Sequence, residues 1–183
     1  MIIKQSFFDD DTIAIAKKLL GCYLCRRKEN GEILRGKIVE TEAYTQDDPA
    51  SHSFCGITKR SITMYQKAGI AYVYMTYGMY HCINVVTEKK GVGCAVLIRA
   101  LEPVNENINL KTKGPGLLCK AFEINKTLNG IDLLDEKSPL WLEYSDKTIE
   151  ENEIVATTRI GIKKASDYPW RFYIRNNKFI SKK

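Results

Sequence analysis

Two glutamates, one arginine, one asparagine and a cluster of tyrosines are the side chains of this sequence whose types and spacing suit chemistry. Residues 38–44 read IVETEAY. On a strand, Glu40 and Glu42 share one face, opposite Val39 and Thr41. If Val39 faces the core, both carboxylates lie on a solvated face. Glu42, however, stands where the strand ends at Ala43 and Tyr44, and strand ends with loops above them are common places for sites. A carboxylate there could orient and deprotonate a water. Arg99 is the lone charge in CAVLIRAL, residues 94–101. A buried guanidinium needs an acidic partner or several acceptors. Glu40 or Glu42 across the sheet would supply one, unless Arg99 reaches solvent from the strand end. Asn84 lies between Ile83 and Val85 and must find partners if half-buried, as a pocket wall or as a fold-stabilising amide. His52 lies in a polar loop.

The tyrosines gather in 71–84, AYVYMTYGMYHCIN. Tyr72 and Tyr74 are two apart and share a face on a strand. Tyr77 and Gly78 break the alternation, and an apolar run resumes at Cys82. This predicts strand, tight turn, strand, with a tyrosine at the tip. Its tyrosines either pack on neighbours or serve as a stacking and wedging device. His81 is in or beside the hairpin.

Elements must place these groups. Asp9–Asp11 offers a helix cap, and 12–20 has helical apolar spacing ended by Gly21. Residues 22–27 and 33–43 read as strands around Asn30-Gly31, a strong hairpin signal. Residues 47–58 form a polar loop, and 61–67 a short helix. Residues 94–101 read as a strand, 104–110 as a weak helix, 113–116 as a loop and 117–124 as a helix. Later strands fall at 140–144, 154–160, 171–175 and 179–180. The alternation of turns and hairpins predicts a mixed α/β (α+β) fold. It is one domain over 1–183, with a curved, mostly antiparallel sheet, flanking helices and a protruding hairpin.

The chain has 183 residues, 44% hydrophobic and 27% charged, with a formal net charge of +6. That length suits one well-buried domain, and the charge leans towards an anionic partner. There is no P-loop, GxGxxG, GxSxG or HExxH, so phosphoryl transfer, dinucleotide binding and zinc hydrolysis lose ground. Cys22 and Cys25 form a CxxC with no second pair at zinc spacing, which favours buried free thiols over a structural metal. No apolar run spans a bilayer, and the N-terminal stretch turns acidic too early for a signal peptide. A cytoplasmic protein, or a nuclear one in a eukaryote, is expected. Aromatics beside dispersed basic residues (Lys59-Arg60, Lys67, Lys89-Lys90, Arg159, Lys163-Lys164) fit backbone contact with base stacking on nucleic acid.

Together these stretches resemble the alkylpurine (3-methyladenine) DNA glycosylase family, the monofunctional type of bacteria and animals. The matching segments are GKIVETEAY (36–44), ASHS (50–53), YVYMTYGMYHCIN (72–84), LIRALEP (97–103), KGPGLLCKAFEIN (113–125), and 159–162 with 169–173. They run in the family's order over nearly the whole chain, and VETEAY joined to YxYxxYGMYxCxN is highly specific. The resemblance implies excision of damaged purines (3-methyladenine, 7-methylguanine, hypoxanthine, etheno-adenine) from double-stranded DNA after the nucleotide is flipped out. It implies Glu42 as the base that activates water and Arg99 as its holder. Tyr44, His52, Tyr74 and Asn84 would form the base pocket, with Asn84 disfavouring guanine. Tyr77 would be the wedge, and Met64, Tyr80, Lys59 and Arg60 further DNA contacts. It implies a monomer needing no cofactor or metal, with no lyase step. Leu117 and Leu118 stand where the family often has lysine, and the 44–52 loop is slightly short. Two other readings fit the residues alone: a non-catalytic lesion-binding protein, and an RNA- or nucleotide-processing hydrolase.

Overall fold

The computed structural model describes residues 1–104 and 111–182. The helix expected over 104–110 lies, but for Val104, outside them. The first hairpin pairs β1 (Tyr23–Arg27) with β2 (Ile33–Tyr44) around Asn30-Gly31, where Gly31 takes φ +82°. The tyrosine hairpin is β3 (Ala71–Thr76) and β4 (Tyr80–Val86). β5 (Ala95–Pro103), β6 (Leu140–Glu143), β7 (Ile154–Thr157) and β8 (Arg171–Ile174) complete an eight-stranded, wholly antiparallel sheet. Its main order is β3-β4-β5-β2-β1-β6, with β8 pairing the end of β2 and β7 pairing β8. The α+β architecture read from the turn signals is the observed one.

Helix α1 (Thr12–Lys18) starts at Asp11, whose side chain accepts from the backbone N–H of Ile13 and Ala14. That satisfies two of the orphan donors of the first turn. Helix α2 (Pro115–Ala121) begins earlier than expected. Pro115 opens it because its fixed φ suits the first helical position and its missing N–H costs nothing there. Residues 179–180 are a turn and not a strand; the Asn177 side chain accepts from Phe179 N–H at 2.8 Å and ties the segment locally.

Both faces of the sheet's centre are buried. On one face Val73, Ile83, Val85, Ile98 and Ala100 meet α1 and α2 in the main core. Thr41 belongs to this side and donates to Ala16 O at 2.8 Å. On the other face a smaller cluster of Met64, Tyr65, Ile70, Tyr72, Val86 and Ala95 supports the loop 45–69. The carboxylates of β2 were expected on a solvated face if Val39 is core. Val39 is core, yet Glu40 and Glu42 are fully buried, because β8 and residues 180–182 cover their side. No helix among the described residues is long and apolar enough to cross a membrane. Five of the six cysteines are buried and all are free thiols. Burial pushes Cys22 up to about 11 and Cys25 up to about 12, so the CxxC pair is held protonated.

Candidate active site

Strand register assembles the site. Glu42 pairs with Leu97, Leu97 with Asn84, and Asn84 with Tyr72, so these four form one transverse row over four strands. Directly opposed residues share a face. Beside this row, two residues along their strands and therefore on the same face, stand Arg99, Cys82 and Tyr74; a register shift at Glu40, which pairs with Ala100, brings its carboxylate to Arg99 as well. Tyr44 flanks the row on the other side. A cavity of about 610 Å³ opens over this face, within the roughly 300–1,000 Å³ usual for small-molecule pockets.

Glu42 does not line that cavity. It lies behind Tyr44, Arg99 and Ile160, which do. Ile160 N–H donates to its Oε1 at 2.8 Å, and the Tyr44 hydroxyl donates to its Oε2 at 2.7 Å. Arg99 Nη1 stands 3.3 Å from Oε1. A carboxylate has about four acceptor positions, so these partners leave capacity for one proton of a water. Burial raises the Glu42 carboxyl above its ordinary range, opposed by the Arg99 charge, the Ile160 N–H and the Tyr44 hydroxyl. A carboxylate with a raised pKa accepts a proton more strongly than an ordinary one.

The cavity walls are aromatic. Tyr44 from β2 and Tyr74 from β3 both line it. Tyr74 tilts against Tyr72, ring centroids 5.3 Å apart, and takes the edge of His52 at 4.6 Å. His52 Nδ1 is 2.9 Å from the Tyr72 hydroxyl. Burial, with help from the Arg60 charge, lowers His52 to about 4, so its imidazole is neutral near neutral pH. Asn84 is buried, and its amide donates to Tyr72 O at 3.1 Å. Tyr72 therefore braces the pocket from the core, through both His52 and Asn84.

The expected DNA-contacting residues divide. Tyr77 is 84% exposed at the hairpin tip. Tyr80 is half-exposed and leans on α2, so close that a Cβ on Gly116 would meet its ring at 3.0 Å. Lys59 is exposed, and the Arg60 guanidinium lies 5.0 Å over the Tyr74 ring at the cavity mouth. Met64 is 2% exposed; it packs in the small cluster and forms part of the cavity wall, away from the outer surface. Arg159, read as a surface cation for nucleic acid, is instead buried. It pairs with Asp48 through both terminal guanidinium nitrogens, Nη1 and Nη2, and lies 4.6 Å from the Tyr44 ring. Lys67 is paired with Asp132 at 2.8 Å. Leu117 lines the cavity whereas Leu118 is core.

Several site residues escaped the sequence reading. Asp48 looked like one more polar loop residue. Ile160 acts through its backbone, which side-chain motifs do not report. Met79, 71% exposed beside Tyr77, and Met75 extend the apolar tip; the missing signal was that a hairpin tip has no core to receive a methionine. No group of three or more metal-ligating side chains converges among the described residues.

An aromatic cavity backed by a carboxylate–guanidinium pair, beside an exposed tyrosine at a hairpin tip, suits chemistry on a base removed from its stack. The comparisons give that class its name, a DNA glycosylase. A model of the family described as Methylpurine-DNA glycosylase (MPG) matches residues 6–178. A protein of Francisella tularensis subsp. tularensis, provisionally named a 3-methyladenine DNA glycosylase, is 54% identical over 183 residues, covering 94% of each chain. Proteins with the same provisional name from Carboxydothermus hydrogenoformans and Methanoculleus marisnigri are 47% and 42% identical over the full length of both chains. The chain belongs to the methylpurine-DNA glycosylase family.

Proposed function

We propose that this protein hydrolyses the N-glycosidic bond of N3- and N7-alkylated purines in double-stranded DNA, with 3-methyladenine and 7-methylguanine as its principal substrates. The observation that carries this is the Glu42 carboxylate, buried, held by three partners and lying directly behind the cavity wall. A fully buried carboxylate is costly to maintain, and recognition of a lesion alone does not need one there. In this reading water attacks C1′ of the flipped nucleotide and Glu42 takes its proton. The purine leaves with the electron pair of the C1′–N bond. An N-alkylated purine is cationic and departs as a neutral base, without a proton donor. The negative charge of Glu42 favours the oxocarbenium-like sugar, and tyrosine faces favour a cationic base.

Hypoxanthine and etheno-adenine need protonation to leave well. His52, neutral near neutral pH, is a poor acid, so these neutral lesions are excised more slowly. Asn84, in the floor row, is assigned to reject guanine, and Tyr77 to fill the gap in the duplex. Glu42, Arg99 and both pocket walls come from one chain, so one domain acting as a monomer suffices. Among the described residues no lysine lines the cavity, and in this reading the reaction stops at the abasic site.

The test is release of base from duplexes carrying each of these four lesions. Glu42→Gln is expected to lower excision of 7-methylguanine at least about 10³-fold while duplexes with an abasic analogue still bind. Residual excision within a few-fold of the unaltered protein removes Glu42 from the role of base. Tight binding by the unaltered protein with no base released removes the glycosylase reading altogether.

A further inference from the structure

Arg99 does not belong to Glu42 alone. Its guanidinium lies between two buried carboxylates, with Nη1 3.3 Å from Glu42 Oε1 and Nε 3.4 Å from Glu40 Oε1. Neither contact is short, and Arg99 Nε has no hydrogen-bond partner among the described residues. Its position is a compromise between two attractions. Glu40, by contrast, is held closely. Arg171 Nη1 and the Ser181 hydroxyl each donate to Oε1 at 2.9 Å, and Ser181 N–H donates to Oε2 at 2.6 Å. Arg171 is itself fixed, with Nε donating to Thr158 O and Nη1 to Lys182 O, both at 2.9 Å. Register explains the geometry: Arg171 is paired with Glu42 on β2 and reaches diagonally to Glu40.

We propose that Glu40, Arg171 and Ser181 are positioning residues which fix how much of the Arg99 charge Glu42 receives, and thereby the pH range in which the enzyme works. Arg171 neutralises Glu40 and leaves Arg99 available to Glu42. Without Arg171, Glu40 draws Arg99 away, because a buried carboxylate without its cation is strongly unfavourable. Glu42 then loses its counter-charge. Without the Glu40 charge, Arg99 moves fully to Glu42 and Arg171 adds its own field. The other titratable groups facing Glu42 are Tyr44 from its own strand and Cys82 from β4. The Arg159–Asp48 pair lies behind Tyr44. None of these changes in the variants below. The inference rests on Glu42 acting as the base.

The test is the single-turnover excision rate of 7-methylguanine from duplex DNA as a function of pH. The ring charge of that lesion comes from its methyl group and needs no proton, so the acidic limb reports the enzyme. Arg171→Met is expected to move the limb up by about one pH unit, and Glu40→Gln to move it down by a similar amount, the size an ion pair of this kind produces. Arg171→Lys, which keeps the charge, holds the limb near its original position. A purely structural ion pair would lower the rate or the melting temperature in both variants with no opposed shift of the limb. Where Arg171→Met does not fold, Glu40→Gln carries the test, since the amide oxygen still accepts from Ser181 N–H. Stationary limbs, or limbs that move the same way, overturn the proposal while an inactive Glu42→Gln leaves the base assignment standing. An active Glu42→Gln overturns both.

Discussion

Tyr44 serves the site twice. Its hydroxyl donates to Glu42, and its ring forms a cavity wall over the buried Arg159 guanidinium. Arg159 also donates to Ala43 O at 2.9 Å and Ala165 O at 3.3 Å, while Asp48 accepts from two of its nitrogens. Neither side chain of the pair has measurable exposure. Removing one partner therefore strands a charge in a dry site. Arg159→Met is expected to cost about 3–5 kcal/mol of stability, read by urea unfolding. Adding Asp48→Asn should return part of that loss, with a coupling energy of about 1–3 kcal/mol. Additive losses would show that the two residues stabilise the fold independently. The pair was invisible in the sequence: its members are 111 positions apart, and a lone aspartate in a polar loop reads as solvated. Arg99 was easier to find, since it interrupts an apolar run and a charge in such a run needs a partner, and Glu42 stood out only by its place at a strand end.

At the scale of elements, the tyrosine hairpin was the most legible part of the chain, because alternation and a single glycine determine its strands and its tip. The register follows, with Tyr72 opposite Asn84 and Thr76 opposite Tyr80. The sequence did not reveal the tip's backbone. Tyr77 takes φ +50° and Gly78 φ +69°, with Met79 N–H bonded to Thr76 O at 3.3 Å. Two positive φ angles match the twist of a tight hairpin, and glycine adopts one freely, but a tyrosine there is strained. Strain retained at an 84% exposed side chain that makes no core contact implies that the ring is kept for what it meets outside the protein. Tyr77→Asn is accordingly expected to raise stability by roughly 0.5–1 kcal/mol, since asparagine tolerates this conformation, while weakening capture of a lesion duplex about tenfold or more. Thermal unfolding and a binding titration on the same preparation check both halves. A variant that is less stable, or that binds as well as before, removes the wedge assignment. β2 was harder to read than the hairpin. A period of two with glutamates on one face looks like a solvated edge. The cover that buries them comes from β8 and residues 180–182, about 130 positions later, and no local pattern announces it.

Over the whole molecule, the formal charge of +6 is carried by lysines of two kinds, paired and unpaired. Lys17, Lys18, Lys28, Lys37 and Lys67 each lie within 3.1 Å of a carboxylate, on surfaces away from the cavity. Lys59, Lys113, Lys163 and Lys164 make no ion pair with the described residues, and each adjoins a residue or segment that lines the cavity mouth. Lysines elsewhere, Lys89, Lys90, Lys126 and Lys137 among them, are unpaired with the described residues as well, but only those beside the cavity stand where a phosphate backbone would run once Tyr77 entered the duplex. Counterion release gives this a measurable form, because each phosphate contact contributes about 0.9 to the slope of log affinity against log salt. Lys59→Ala and Lys163→Ala should each reduce that slope by about one unit and weaken damaged and undamaged duplexes alike. Lys17→Ala and Lys67→Ala, whose charges are already matched by Glu151 and Asp132, should leave the slope unchanged. Equal slopes for all four variants would mean that the positive charge acts as a diffuse field over the whole surface. A loss confined to Lys59 and Lys163 would place the DNA across the cavity mouth, with the hairpin on one side and the turn carrying Ile160 on the other.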